Sequence, residues 1–204
     1  MIVNFESLKP LQRYHWLTQT LIPRPIAWVL TQHESGHLNL APFSFFTAIS
    51  SAPPLLMFSA GKKPDGSPKD SVRNAERTGT LVIHIASADL LDPLNQSSAT
   101  LPAEVSEVDQ LGLETLPFEG FDLPRLAAAP VAYGCRVHAI QPMGDVPQSL
   151  VFARVETLYV KESAVTVLDN GRCQVSATEL DPLARLGARE YATLGDVLQR
   201  ERPE

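Results

Sequence analysis

The sequence is poor in cysteine and in positive charge. Its 204 residues include only two cysteines, Cys135 and Cys173, which fit no zinc-ligand spacing and are too few for a disulfide framework. Lys and Arg number 17 against 23 Asp and Glu, and the net charge of -6 argues against general binding to nucleic acid or to an anionic membrane. These shortages predict a protein of the reducing cytoplasm with neither nucleic acid nor membrane as a partner.

Several sequence signals are also missing. No apolar run reaches the roughly 18 residues of a membrane-spanning helix, and residues 1–10 lack the charged-then-apolar layout of a signal peptide. A Walker loop, a dinucleotide glycine fingerprint, a nucleophile elbow and an HExxH pair are absent. His33 and His37 could hold zinc across a turn, but two solvated turn histidines are the simpler interpretation, and we predict no metal site.

Proline, by contrast, is abundant, and its 17 residues are spread along the whole chain. Because proline fixes φ and cannot donate to a strand ladder, this spacing favours short elements and excludes an all-helical bundle. Six or seven strands with few short helices are predicted, which indicates a mainly β fold, a closed barrel with helical additions. We expect a single domain over 1–204 with a helical C-terminal extension. The main predicted strands cover 26–31, 37–40, 55–60, 81–86, 131–140 and 150–160.

Residues 39–46 read NLAPFSFF, a strand that runs into a proline and continues with small and aromatic residues. Amides at a strand end have no ladder partner and need acceptors in water, in protein or in a ligand. A planar heterocycle with carbonyl oxygens would supply them. The alternative is an ordinary strand end whose phenylalanines enter the core.

A short helix is predicted over 69–78, with Ser67 as its cap and Gly79 as its stop. A helix N-terminus presents free amides and the positive end of the helix dipole, so it suits an anion such as phosphate. Lys69 and the Ser71 hydroxyl would add two more donors. A solvated helix face with an ordinary cap would give the same pattern.

A flat, acceptor-rich ring joined to a phosphate is the description of FMN. The chain contains four motifs in this order: Arg24-Pro25-Ile26-Ala27-Trp28-Val29, the segment 39–46, Pro53-Pro54, and Lys69-Asp70-Ser71 with Asn74. These motifs and their order make the chain similar to the flavin reductase-like family with the FMN-binding split-barrel fold, in its NADH:flavin oxidoreductase and flavoredoxin-like branch. A tail of the form RLG with a following tyrosine, at 185–191, resembles the family as well.

The resemblance implies a flavin site made of residues from several parts of the chain. It also implies that the pocket is closed from the same subunit or from the second subunit of a homodimer. The isoalloxazine contacts are Asn39, Ala41, Ser44 and Phe45, the ring or ribityl contact is Ser59, the phosphate contacts are Lys69, Asp70 and Ser71 with Arg24 as a helper, and the residues that close the pocket are Arg185 and Tyr191.

The activity that the resemblance implies is hydride transfer between NAD(P)H and FMN, in the service of a redox partner protein or an oxygenase. FAD is less favoured, because a helix-start phosphate site and short loops suit FMN. The chain departs from the reductase branch at Gln148, where that branch often has a histidine associated with the nicotinamide. Two alternatives therefore stay open, a flavin-binding electron carrier reduced by a partner protein and a flavin-free barrel. No catalytic side chain is assigned, and His84 is expected to be a half-buried barrel residue.

Overall fold

The computed structural model describes residues 1–102, 104–201 and 203. Its elements are mostly short strands, as the proline content predicts. The helices are α1 (Pro10–Thr20), α2 (Asp70–Thr78), α3 (Leu91–Gln96), α4 (Glu107–Gln110) and α5 (Ala177–Leu180). The strands are β1 (Arg24–Pro25), β2 (Ala27–Gln32), β3 (Leu38–Phe43), β4 (Phe46–Ser51), β5 (Pro54–Ala60), β6 (Thr80–Ile85), β7 (Thr115–Leu116), β8 (Arg125–Leu126), β9 (Val131–Met143), β10 (Gln148–Val160), β11 (Val165–Val167), β12 (Cys173–Val175), β13 (Ala184–Arg185) and β14 (Tyr191–Ala192).

The main sheet has seven antiparallel strands in the order β3-β2-β6-β9-β10-β5-β4. Its two edge strands, β3 and β4, follow each other in the chain and are joined by only two residues, Ser44 and Phe45. The two edges therefore meet at this corner, where Ser59 N donates to Phe45 O at 2.9 Å. A sheet whose edges meet at one corner must roll up, and the result is a barrel that is split along the rest of its seam. The prediction of a mainly β split barrel is confirmed.

The alternation of side chains along the strands builds two cores. On β2, Trp28 and Leu30 point into one cluster, which the α3 and α4 region covers, whereas Ala27 and Val29 point into a second cluster on the opposite face. This is the two-residue period of a strand that is buried on both faces. Trp28 is completely buried and its Nε1 donates to Ser97 Oγ at 2.9 Å, so it fills the core.

His84 lies within β6 and is fully buried, where the sequence predicted only half burial. Its Nε2 accepts a hydrogen bond from Leu126 N at 3.0 Å, so the hydrogen is on Nδ1, which donates to Trp28 O at 3.1 Å. Burial lowers the pKa of His84 to about 4, and the nearby Arg125 charge contributes. The residue is a neutral bridge between β2, β6 and β8.

The structure corrects the sequence prediction at both ends and in the middle. Helix α1 and strand β4 were not anticipated. The C-terminal part is not a helical extension, because it contains only the four-residue α5 followed by the short paired strands β13 and β14. None of the described helices is both long and apolar enough to cross a membrane.

Candidate functional site

The start of α2 is the first part of the site. Its N-cap is Lys69, two residues later than the predicted cap, and no side chain caps the helix. Ser67 donates to Asp65 Oδ1 instead. Within the described hydrogen bonds, the amides of Asp70 and Ser71 have no acceptor. These two free donors sit at the positive end of the helix dipole, which makes the α2 N-terminus suitable for an anion.

Asn39 on β3 is joined directly to this helix start. Its side-chain amide donates to Ser71 Oγ at 2.9 Å, and Ser71 is buried. Asn74, one turn further along α2, donates to Thr31 Oγ1 at 3.3 Å and fixes the helix against β2. The two features that the sequence treats separately, the 39–46 segment and the helix start, therefore form one site.

A cavity of about 210 Å³ lies between β3 and the α2 N-terminus. Five predicted flavin residues line it together, so the structure brings the phosphate group and part of the ring group into one place. Pocket walls also come from the 97–101 loop. The five are Asn39, Ala41, Lys69, Asp70 and Ser71.

Asp70 has a different role from the one predicted by its place in the motif. Its carboxylate forms ion pairs with Lys63 at 2.7 Å and with Arg73 at 2.5 Å. A carboxylate cannot donate to a phosphate, so the only donor that Asp70 offers is its main-chain amide. The side chain instead holds Lys63, which also lines the cavity, beside the helix start.

The two-residue connector between β3 and β4 is the second part of the site. Neither Ser44 N nor Phe45 N has an acceptor among the described hydrogen bonds. Pro42 has no amide hydrogen, and Phe43 packs on Phe58 with ring centroids 4.9 Å apart. The connector thus offers two free donors. Phe43, just before it, packs against the core, whereas Phe45 within it is exposed.

A second, larger cavity of about 460 Å³ adjoins the connector. Ser44, Phe45 and Ser59 line it, which places three more predicted flavin residues together. Gln148, at the start of β10, also faces this cavity, so the position at which the chain departs from the reductase branch belongs to the site. The remaining walls are mostly apolar and include Met57 and Leu150.

Arg24 lines this second cavity and does not line the one beside Lys69. The residue is only 6% exposed, and its guanidinium donates to the carbonyls of Thr18, Leu21 and Leu186. Burial lowers the pKa of Arg24, and the Arg185 charge contributes. Arg24 thus lines other cavities than the one at the helix start, for which the resemblance implies it as a phosphate helper.

Arg185 and Tyr191 face each other across the β13 and β14 pair. The Arg185 guanidinium stacks 4.5 Å from the centre of the Tyr191 ring, and Tyr191 Oη donates to Asn95 Oδ1 at 3.1 Å. A third cavity of about 260 Å³ is lined by Arg185, Arg24 and Ser44. Tyr191 lines none of the three cavities described, so it supports Arg185 from behind.

Glu107 is the site residue that sequence reasoning missed. It lines the cavity beside α2, is only 7% exposed, and its Oε2 accepts from Leu40 N at 2.9 Å. Burial raises the pKa of Glu107, and the charge of Asp70 acts in the same direction. The N-cap Ser106 before an acidic first turn is a local helix signal, but nothing in the sequence indicates that this turn reaches the outer edge of β3.

Comparisons with known proteins identify the family of the chain. Residues 19–176 match the flavin reductase like domain. An uncharacterized protein of Halalkalibacterium halodurans is 34% identical over 100% of this chain and 97% of its own. Nitrilotriacetate monooxygenase component B from Bacillus cereus has a TM-score of 0.89 and 31% identity, covering 98% of each chain.

A third protein shares the fold at lower identity. The FMN-binding protein from Thermus thermophilus has a TM-score of 0.74 and 17% identity over 98% of this chain and 100% of its own. That identity supports the fold alone, whereas the domain match covers most of the chain. The protein therefore belongs to the flavin reductase-like family.

Proposed function

We propose that this protein binds FMN at the junction of β3, the connector and α2. The observation that carries the proposal is the Asn39–Ser71 hydrogen bond, which joins the predicted ring segment to an uncapped helix start. The free amides of Asp70 and Ser71, together with the Lys69 ammonium, form a donor set that suits a phosphate. The FMN-binding protein of Thermus thermophilus, which shares the fold, supports the same cofactor.

The connector suits the ring end of the cofactor. The amides of Ser44 and Phe45 would donate to acceptors on the edge of the isoalloxazine, and the apolar walls of the larger cavity would cover its face. Arg185 and Arg24 line a cavity together with Ser44 of the connector, and neither lines the cavity beside α2. We therefore assign the phosphate to the α2 side and the ring to the connector side, with Ala41 and Ser59 beside the path between them.

Bound FMN supplies the hydride chemistry, and the protein supplies position and shielding. We propose that the electrons come from NADH or NADPH, which makes the protein an oxidoreductase of the flavin reductase type. Gln148 faces the cavity as a neutral donor and acceptor, so it can orient an amide but cannot carry a proton at neutral pH. The protein's contribution to turnover is then mainly the alignment of donor and acceptor.

The test is to load the purified protein with FMN under anaerobic conditions and to add NADH or NADPH. Loss of flavin absorbance near roughly 450 nm, a property of the cofactor, is the expected result. A Gln148→His variant is the matched comparison, because it restores the side chain that the reductase branch often carries. If the wild type stays oxidised while the variant is reduced, the electron-carrier alternative is favoured. A protein that takes up no flavin would contradict the whole proposal.

We further propose a homodimer, because the surface around α1 and β4 is unusually apolar. The side chains of Leu11, Tyr14, Leu17 and Leu21 lie three or four residues apart along α1, and each is exposed by 46% or more. Ile49 on β4 is exposed as well. Such exposed apolar side chains along one helix are typical of a protein interface.

We also propose a redox partner that receives the electrons and a location in the cytoplasm. Nitrilotriacetate monooxygenase component B is named as part of a monooxygenase, and this similarity favours an oxygenase or another redox protein as the recipient of the electrons. Both cysteines are free, which is consistent with the reducing cytoplasm.

A further inference from the structure

The cavity between α1 and the C-terminal segment carries two positive charges without a carboxylate partner. Arg24 and Arg185 both line it, together with Ser44 of the connector. In the described part of the chain, no carboxylate lies within 4.0 Å of either guanidinium. This differs from the cavity beside α2, where Asp70 neutralises its neighbours and Glu107 adds a further carboxylate.

The two guanidiniums repel each other yet are held in place by the fold. Burial lowers the pKa of Arg24 and the Arg185 charge lowers it further, while Arg185 itself is fixed by the carbonyls of Ala188 and Glu190 at 2.6 and 2.7 Å. Gly187 makes this arrangement possible, because a Cβ there would lie 2.5 Å from Gln19 Cγ on α1. The tail thus packs tightly on α1 and brings Arg185 toward Arg24 despite the repulsion.

Backbone carbonyls do not satisfy all the donors. Arg24 has five N–H groups, of which three are used, and its buried Nε has no partner. Buried donors without acceptors are uncommon in folded proteins. Two like charges without a carboxylate partner at one cavity are the chemistry that binds a carboxylate or a phosphate.

The position of the cavity relates it to the flavin site. Ser44 and Arg24 line both this cavity and the larger apolar one beside the connector, so the two are neighbours. The cavity beside the α2 start, which Lys69 lines, contains neither Ser44 nor Arg24 in its walls. We propose that the Arg24 and Arg185 cavity binds an anionic group, a carboxylate or a phosphate, of the molecule that exchanges electrons with the flavin. This inference rests on the proposed function, since it assigns the cofactor's own phosphate to α2.

The test uses the FMN-loaded protein and isothermal titration with three probes: pyrophosphate, benzoate and uncharged benzamide. Binding of either anion, with no binding of benzamide, is the expected result. Pyrophosphate alone would identify a dinucleotide phosphate as the source, and benzoate alone would identify a carboxylate substrate. Failure of both anions to bind would overturn the inference.

The variant pair is Arg185→Gln with Arg189→Gln as the control, because Arg189 lies in the same loop, is exposed and lines none of the three cavities. We expect Arg185→Gln to weaken anion binding about tenfold or more, as for loss of a charge-assisted hydrogen bond, and Arg189→Gln to leave it unchanged. Equal anion binding in the two variants would overturn the inference.

Thermal unfolding shows whether Arg185→Gln is folded. If that variant does not fold, Arg185→Lys takes its place: because it keeps the charge, it should bind the anion more tightly than a variant without the charge. FMN affinity is measured separately for each variant. If Arg185→Gln loses FMN itself, the cavity holds the cofactor's phosphate and the inference is wrong. If the wild type binds no FMN at all, it is the proposed function that fails.

Discussion

The side-chain amide of Asn39 lies 2.9 Å from Ser71 Oγ and links the edge strand β3 to the first turn of α2. Asn39 belongs to the segment that a sequence reader associates with the ring, and Ser71 to the one associated with the phosphate. The bond fixes the distance between these two parts of the site. The fold therefore sets the spacing between the part of the site proposed for the ring of the cofactor and the part proposed for its phosphate.

Lys69→Ala tests the phosphate end. We expect it to weaken FMN binding by about 1 to 3 kcal/mol, the scale of one charge-assisted hydrogen bond. Fluorescence titration of FMN gives the dissociation constant. Arg77→Ala is the control, because Arg77 lies in the last turn of the same helix and donates to Gln32 O. If both variants lose affinity equally, the effect is one of general charge and Lys69 does not contact the phosphate.

Ser44→Pro tests the connector. Proline removes the amide hydrogen that has no partner within the described hydrogen bonds, and it also restricts φ. We expect FMN binding to be lost, whereas Ser44→Ala, which keeps the amide, should bind FMN within about threefold of the wild type, or less than 1 kcal/mol. A far-ultraviolet circular dichroism spectrum like that of the wild type would show that the barrel persists. Normal FMN binding by Ser44→Pro would remove this amide from the site.

The sequence predicted those parts of the fold and the site that depend on local chemistry. The hairpin of β2 and β3 follows from residue type and turn residues, and the α2 stop at Gly79 follows from its left-handed φ of 72°. Strand β4 was missed because its side chains are mostly exposed, so it lacks the apolar alternation that marks a strand.

The rest depends on contacts between distant residues. The pairing of Arg24 with the tail carbonyl of Leu186 spans 162 positions, and no local pattern indicates it. Glu107 reaches Leu40 across 67 positions for the same reason. Helix α1 carries apolar side chains on an exposed face, which the proposed dimer interface would cover.

The oligomeric state tests that explanation. We expect sedimentation at micromolar concentration to give twice the monomer mass of 22.3 kDa. Leu11→Glu places a charge on the apolar face of α1 and should shift the protein toward the monomer, since burying an unpaired charge is costly. Gln12→Glu adds the same charge at the next position and is the control. A monomer for the wild type would refute the homodimer.

The buried His84 predicts an acid-sensitive stability. Its pKa is about 4 in the folded protein and about 6.5 when unfolded. The unfolded state therefore takes up the proton first, so stability is lost as the pH falls from about 6.5 through about 4. The full loss is on the order of 3 kcal/mol. Protonation would also place a hydrogen on Nε2, which would then face the Leu126 N–H. In the neutral state Nε2 accepts a hydrogen bond from that N–H.

Urea unfolding between pH 7 and pH 4 measures this effect. The wild type is compared with His84→Asn, which cannot titrate in this range. Hydrogen bonds lower the pKa values of carboxylates such as Asp65 and Glu156, so their protonation in acid also lowers the free energy of unfolding. This loss is the same in both proteins. The difference between the two curves should shrink as the pH falls. Parallel curves would show that His84 does not titrate with unfolding.

Glu107 makes FMN affinity depend on pH. Its carboxylate faces the cavity proposed for the phosphate, and burial raises its pKa. As the pH rises through that pKa, Glu107 becomes charged and repels the phosphate, so affinity should fall. Glu107→Gln keeps an acceptor for Leu40 N but has no charge, and it should bind FMN more tightly at pH 8, by on the order of 1 kcal/mol.

The ratio of the two dissociation constants, measured at pH 8 and again at pH 4.5, separates this effect from titration of the phosphate, which is common to both proteins. We expect the ratio to move toward one at the lower pH, because the raised pKa of Glu107 leaves less of its carboxylate charged there. Glu107→Ala should behave differently, because it leaves the buried Leu40 amide without its acceptor and should destabilise the fold by about 1 to 3 kcal/mol. If the ratio is the same at both pH values, the Glu107 charge does not reach the bound phosphate, and the carboxylate serves only to hold the edge of β3 in place.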